Sequence, residues 1–95
     1  MPLYIVSYDL INKGNRTYQE LYDALQSFTY WYHPMESTWF VESDLQSSGV
    51  YERLRPFVSD VDGLLVVEIK KDTHYNGWLS KKFWPWIKER LDNGK

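Results

Sequence analysis

Cysteine is missing from all 95 residues, which excludes a disulfide framework, thiolate catalysis and a cysteine-built zinc knuckle. An excess of positive charge is missing too. Eleven Lys and Arg stand against thirteen Asp and Glu, a formal net charge of −2. Proteins that grip nucleic acid tightly and without specificity draw their affinity from phosphate contacts and carry a basic excess. This balance argues against that class but leaves room for a local basic strip. No apolar run approaches the ~20 residues that span a bilayer. The first residues lack the charged and apolar regions of a signal peptide, so a soluble, cytoplasmic protein with no membrane partner is the expectation.

Aromatic residues, by contrast, are abundant: five Trp, eight Tyr and four Phe make up 18% of the chain. A chain this short forms one domain, residues 1–95, with a small core. That core cannot hide so many rings: either exposed aromatic surface meets a partner, most simply a second copy, or Tyr and Trp tips reach water from a thick core.

The rest of the chain reads as an envelope for one strand, Leu3 to Leu10, which is apolar and β-rich and carries Asp9 out to the rim of a sheet. Thr17 and Glu20 have capping-box spacing, and Tyr18, Leu21, Tyr22, Leu25 and Phe28 recur at helical intervals. Tyr30–His33 and Ser37–Ser43 read as two strands broken by Pro34, close enough to require an antiparallel hairpin. Alternation puts Trp39 and Val41 on one face, with Thr38, Phe40 and Glu42 on the other. A shorter helix follows, ended or bent by Pro56 near Val58, with Leu54 and Phe57 inward. Leu64–Ile69 is apolar but for Glu68 and reads as a strand buried on both sides.

The order βαββαβ predicts an α+β, ferredoxin-like sandwich over residues 3–69: a four-stranded antiparallel sheet with two helices on one face. Its first and third strands occupy the middle, which leaves Leu64–Ile69 as a hydrophobic edge open to pairing with another chain. Residues 70–95 form a C-terminal extension with a turn at Ser80–Phe83. A helix then starts with Pro85 in first position and buries Trp84, Ile87 and Leu91 against the open face of the sheet.

A first strand ending Tyr8-Asp9-Leu10, this compact order, and a third strand reading Glu36-Ser37-Thr38-Trp39-Phe40-Val41 together resemble the small dimeric CRISPR-associated Cas-two superfamily. SinR-like and VapD-like relatives are the nearer likeness, which covers residues 3–69. The resemblance implies a homodimer in which two copies of Asp9 hold one Mg²⁺ or Mn²⁺ and cut RNA or DNA as a metal-dependent endonuclease. The chain departs from that pattern in two places: it lacks an arginine-rich start to the first helix, and it ends in an aromatic helical tail. Superfamily members also serve as adaptors without nuclease activity. The alternative reading is therefore a non-enzymatic dimeric interaction module, for instance a phage or mobile-element protein docked on a host complex.

Asp9 is the one catalytic and metal-ligating candidate. A hard divalent cation favours carboxylate oxygen and retains water that it can activate. Ser7 and Tyr8 flank it, and Lys13 and Arg16 border the following loop, where a helix N-terminus favours anions. These four are the candidate nucleic-acid contacts. Arg53 and Arg55, the lysine pairs at 70–71 and 81–82, and Trp78, Trp84 and Trp86 are lesser candidates for phosphate contact or base stacking. His33 and His74 read as ordinary polar positions, and Glu36, Glu42 and Glu68 as ordinary carboxylates on or beside strands.

Overall fold

A computed structural model describes residues 1–11 and 18–93. It contains strands β1 (Leu3–Asp9), β2 (Tyr30–Met35), β3 (Thr38–Glu42) and β4 (Gly63–Ile69), with helices α1 (Gln19–Gln26), α2 (Ser47–Leu54) and α3 (Phe83–Asn93). The strands form one sheet in the order β2-β3-β1-β4, every neighbouring pair antiparallel. β1 and β3 are therefore central, and β4 is an edge. Among the described residues no helix is long and apolar enough to cross a membrane.

Alternation along β1 sends Tyr4, Val6 and Tyr8 to one side of the sheet, where they meet Trp39 and Val41 of β3. α1 and α2 cover that side with Leu21, Leu25, Val50 and Leu54, all fully buried. Each such aliphatic side chain contributes about 1.5–3 kcal/mol by leaving water. Two polar tips are satisfied inside this core. The Tyr4 hydroxyl donates to the Leu45 carbonyl at 2.6 Å, and the Trp39 indole N–H donates to the Tyr8 hydroxyl at 3.0 Å.

The other side carries Leu3, Ile5 and Ser7, and α3 packs there through Phe83, Ile87 and Leu91. The tail helix thus covers the face opposite α1 and α2, as its apolar spacing predicts. It starts two residues earlier than the proline rule suggests. Pro85 is its third residue, still within the first turn, where a missing N–H costs no intrahelical bond. Ser80 accepts from the backbone N–H groups of Lys82 and Phe83 just ahead of the helix, through its hydroxyl and carbonyl respectively.

Cross-strand partners on this face fall into rows: Tyr30–Glu42–Leu3–Ile69, then Tyr32–Phe40–Ile5–Val67, then Met35–Thr38–Ser7–Leu65. α3 covers the β2 and β3 members of the first two, while Val67 at the β4 end of the second is exposed. Arg90 lies over the Tyr30 ring at 4.7 Å, Trp86 meets Tyr32, and Phe83 meets both Tyr32 and Phe40. The third row has no helix above it. Leu65 is 59% exposed and Val67 41%, so the expectation that β4 is buried on both sides fails. A largely apolar run does not distinguish a strand covered twice from an edge strand left half open.

Three smaller departures follow from local chemistry. β2 runs on through Pro34, which an edge strand tolerates because no ladder bond is lost, and pairing becomes irregular between Tyr32 and Met35. Tyr18 holds the N-cap position of α1 without a side-chain hydrogen bond, and the expected cap Thr17 lies outside the described residues. Glu42 is buried rather than solvent-facing, because α3 closes over it and brings Arg90 within 3.5 Å. α2 gives way at Arg55–Phe57 to a 3₁₀ turn containing Pro56, as expected.

Candidate functional site

Asp9 is the last residue of β1 and is exposed. The chain around it is pinned from two directions. The Tyr8 amide donates to the Ser37 carbonyl at 3.0 Å, which ties the end of β1 to the β2–β3 turn. Asp62 accepts from the Ile11 amide with one carboxylate oxygen and from the Ser59 amide with the other, both at 2.8 Å. The turn before β4 therefore holds the chain leaving β1, and Asp9 sits on a scaffold rather than on a free loop.

Because β1 and β3 are antiparallel neighbours, the end of β1 lies beside the start of β3 and the turn that precedes it. That topology places Glu36 on the same cleft as Asp9. The cleft has a volume of about 290 Å³, and Tyr8, Tyr18, Tyr22 and Ser37 complete its walls. On its other flank Asp9 borders a shallower depression of about 230 Å³ with Ser7, Gly63 and Leu65. Glu36 and the two α1 tyrosines escape a reading of isolated motifs. Strand adjacency is the signal that could have found them, since it puts the hairpin turn next to the first strand's end.

The candidates divide by face. Ser7 and Asp9 share one side of the sheet, and the Ser7 hydroxyl lies 3.5 Å from that of Thr38. Tyr8 points the opposite way into the core. Its hydroxyl donates to the Glu36 carbonyl at 3.0 Å while accepting from Trp39. Burial pushes its ionisation far above the ordinary phenol range, so the group stays neutral. Tyr8 thus braces the cleft by fixing the Glu36 backbone. Lys13 and Arg16 lie outside the described residues.

The lesser candidates are mostly engaged elsewhere. Arg55 is paired with Asp60 at 2.6 Å and with the Val58 carbonyl, and Arg53 lies over the Phe28 ring. Lys70 stands 3.7 Å from Glu68. His33 is stacked on Trp39 at 3.9 Å, with Tyr22 edge-on to His33 and tilted against Trp39, and its Nε2 lies 3.0 Å from the Glu36 carbonyl, so it is part of the aromatic wall behind the cleft. Trp84 and Trp86 pack on the α3 side of the sheet, whereas Trp78 is 98% exposed.

Asp9 and Glu36 both border the cleft, with the Asp9 side chain leaving β1 on the Ser7 side, and Mg²⁺ is a cation that one or two carboxylates hold while it keeps its water. Among the described residues no group of three or more His, Cys, Asp or Glu side chains is placed to hold a metal. Neither a family model, nor a curated protein, nor a solved structure matches the chain.

Proposed function

We propose that the chain is a homodimeric, ferredoxin-like protein of the Cas-two and SinR-like kind that binds RNA or DNA at the Asp9 cleft and hydrolyses phosphodiester bonds there with Mg²⁺ or Mn²⁺. The observation that carries this reading is that Asp9, at the end of a central strand, and Glu36, in the hairpin turn beside it, border one cleft. The order β2-β3-β1-β4, with α1 and α2 together on one face, supports the ferredoxin-like arrangement.

Each residue's part follows from its place. Asp9 would hold the cation, with Glu36 as the carboxylate that could assist it. Tyr8 keeps the Glu36 backbone in position. Tyr18 and Tyr22 offer ring surface on which an unpaired base stacks. A bound divalent cation supplies charge neutralisation at the phosphate and an activated water.

The test is a cleavage assay on single-stranded and duplex RNA and DNA with Mg²⁺, with Mn²⁺ and with chelator. Cleavage should need the metal and disappear in Asp9→Ala while the circular dichroism spectrum is kept. Cleavage that survived Asp9→Ala would remove that carboxylate from the mechanism.

A second reading, the non-enzymatic interaction module, is favoured by a separate observation: the uncovered third row of the sheet face and the fully exposed Trp78. It predicts no cleavage with any metal and full function in Asp9→Ala.

A further inference from the structure

Trp78 stands on the rim of a mostly apolar groove of about 330 Å³. Its floor is Ile5, Phe40 and Ile69 of the sheet, Met35 forms one wall, and Trp84 of α3 forms another. A tryptophan left 98% exposed gains nothing from the fold of its own chain. The groove beside it lies at the lower end of the size range of ligand pockets, which suits one large side chain rather than an extended ligand.

We infer that the two features serve each other across a twofold axis, with Trp78 of each copy seated in the groove of its partner. An isologous contact brings the same patch of both subunits together, so a projection and a hollow on one surface are filled reciprocally. A foreign partner would have to supply a separate complement to each feature, whereas a second copy supplies both at once. Two exchanged indoles bury roughly 300–500 Å². The neighbouring exposed side chains Leu65, Val67 and Met35 lie on the same sheet face and extend that contact toward the ~1,200 Å² of a specific interface.

This inference names the surface for the dimer of the reading above and rests on that reading only for the oligomeric state. The experiment is sedimentation velocity of the full chain over a concentration series. The wild type should dimerise, and Trp78→Ala should raise the dissociation constant roughly a thousand-fold, because two anchor residues are lost together. Met35→Lys, which places a charge in the groove wall and keeps the tryptophan, should weaken the dimer in the same direction. Mixing the two variants should restore part of the association, since the tryptophan of one fits the open groove of the other.

A wild type that stays monomeric at every concentration overturns the inference. So does a dimer indifferent to Trp78→Ala, or a mixture that associates no better than its parts. Metal-dependent cleavage that Asp9→Ala abolishes, alongside a dimer indifferent to Trp78, would sink the exchange and leave the proposed function standing.

Discussion

The two faces of the sheet are built to different degrees of completion. Under α1 and α2, Tyr4, Val6, Trp39 and Val41 are each at most 1% exposed, and their polar tips are bonded inside. Under α3, two of the three cross-strand rows are covered only in part, the third not at all, and a groove stays open over Ile5, Phe40 and Ile69. The first face holds the fold together, and the second carries surface that the chain alone leaves unused. A core packed to native density tolerates no lost volume, whereas a half-covered face can lose a side chain without collapse of the whole.

The largest effect should therefore come from the first face. Trp39→Ala removes a buried ring in contact with Tyr22, Trp31 and His33 and takes from the Tyr8 hydroxyl the indole N–H it accepts from. It should cost about 3–5 kcal/mol, a large share of the stability of a domain this small. Urea unfolding followed by circular dichroism measures it. A loss no greater than that of a surface substitution would erase the difference between the faces.

Ile87→Ala probes the second face and should cost about 2–3 kcal/mol, toward the low end for such truncations. Its character should differ as well as its size. α3 has eleven residues, too few to hold a helix in water without packing. Amide exchange should therefore speed up throughout α3 while the amides of β1 and α1 keep their protection. Equal acceleration in β1 would mean that α3 and the sheet open as one unit.

What could be read from the chain tracks the same division. The periodicities of Leu21, Leu25 and Trp39 state a buried face plainly, because alternation and helical spacing record which side meets apolar neighbours. Strand adjacency followed from the order of elements, and with it the central place of β1 and the edge place of β4. The half-open face was illegible for a physical reason. Leu64–Ile69 looks the same in sequence whether a helix, a partner or water lies above it. Glu42 was misread for a related one: only the tertiary position of Arg90, 48 residues later, makes its burial tolerable. At the candidate site, Asp9 was visible as a carboxylate at a strand end. Glu36 became part of that site only once the hairpin turn stood beside it.

The middle of the scale belongs to Tyr8, where the well-packed face meets the cleft. Tyr8→Phe keeps the ring but deprives the buried Trp39 N–H of its acceptor and removes one of the two groups on the Glu36 carbonyl, the other being the His33 ring nitrogen at 3.0 Å. An unsatisfied buried group of this kind costs about 1–2 kcal/mol. Chemical-shift changes should concentrate at Glu36, Ser37 and Asp9, with α3 unaffected. Changes spread evenly over both faces would show that the hydroxyl braces the whole sheet rather than the end that carries the cleft.

The smallest effect tests the buried ion pair of the second face. Glu42 is buried beside Arg90, whose guanidinium also lies over Tyr30 and Trp86 and donates to Glu89 at 3.0 Å. Burial raises the carboxyl above its ordinary range more than the Arg90 charge lowers it. The folded chain then takes up this proton at a higher pH than the unfolded chain does. The stability it contributes is complete below the unfolded value and is lost as pH rises through the folded one. Glu42→Gln should accordingly change stability at neutral pH by less than about 1 kcal/mol, since Arg90 keeps its other partners. The variant should also lack the wild type's gain in stability on mild acidification through the window just above the usual carboxylate range. Denaturant midpoints for both proteins across that window decide it. If the wild type instead lost stability there faster than the variant, the ion pair would outweigh the burial. The joint holding α3 would then be an attractive clamp rather than a tolerated charge.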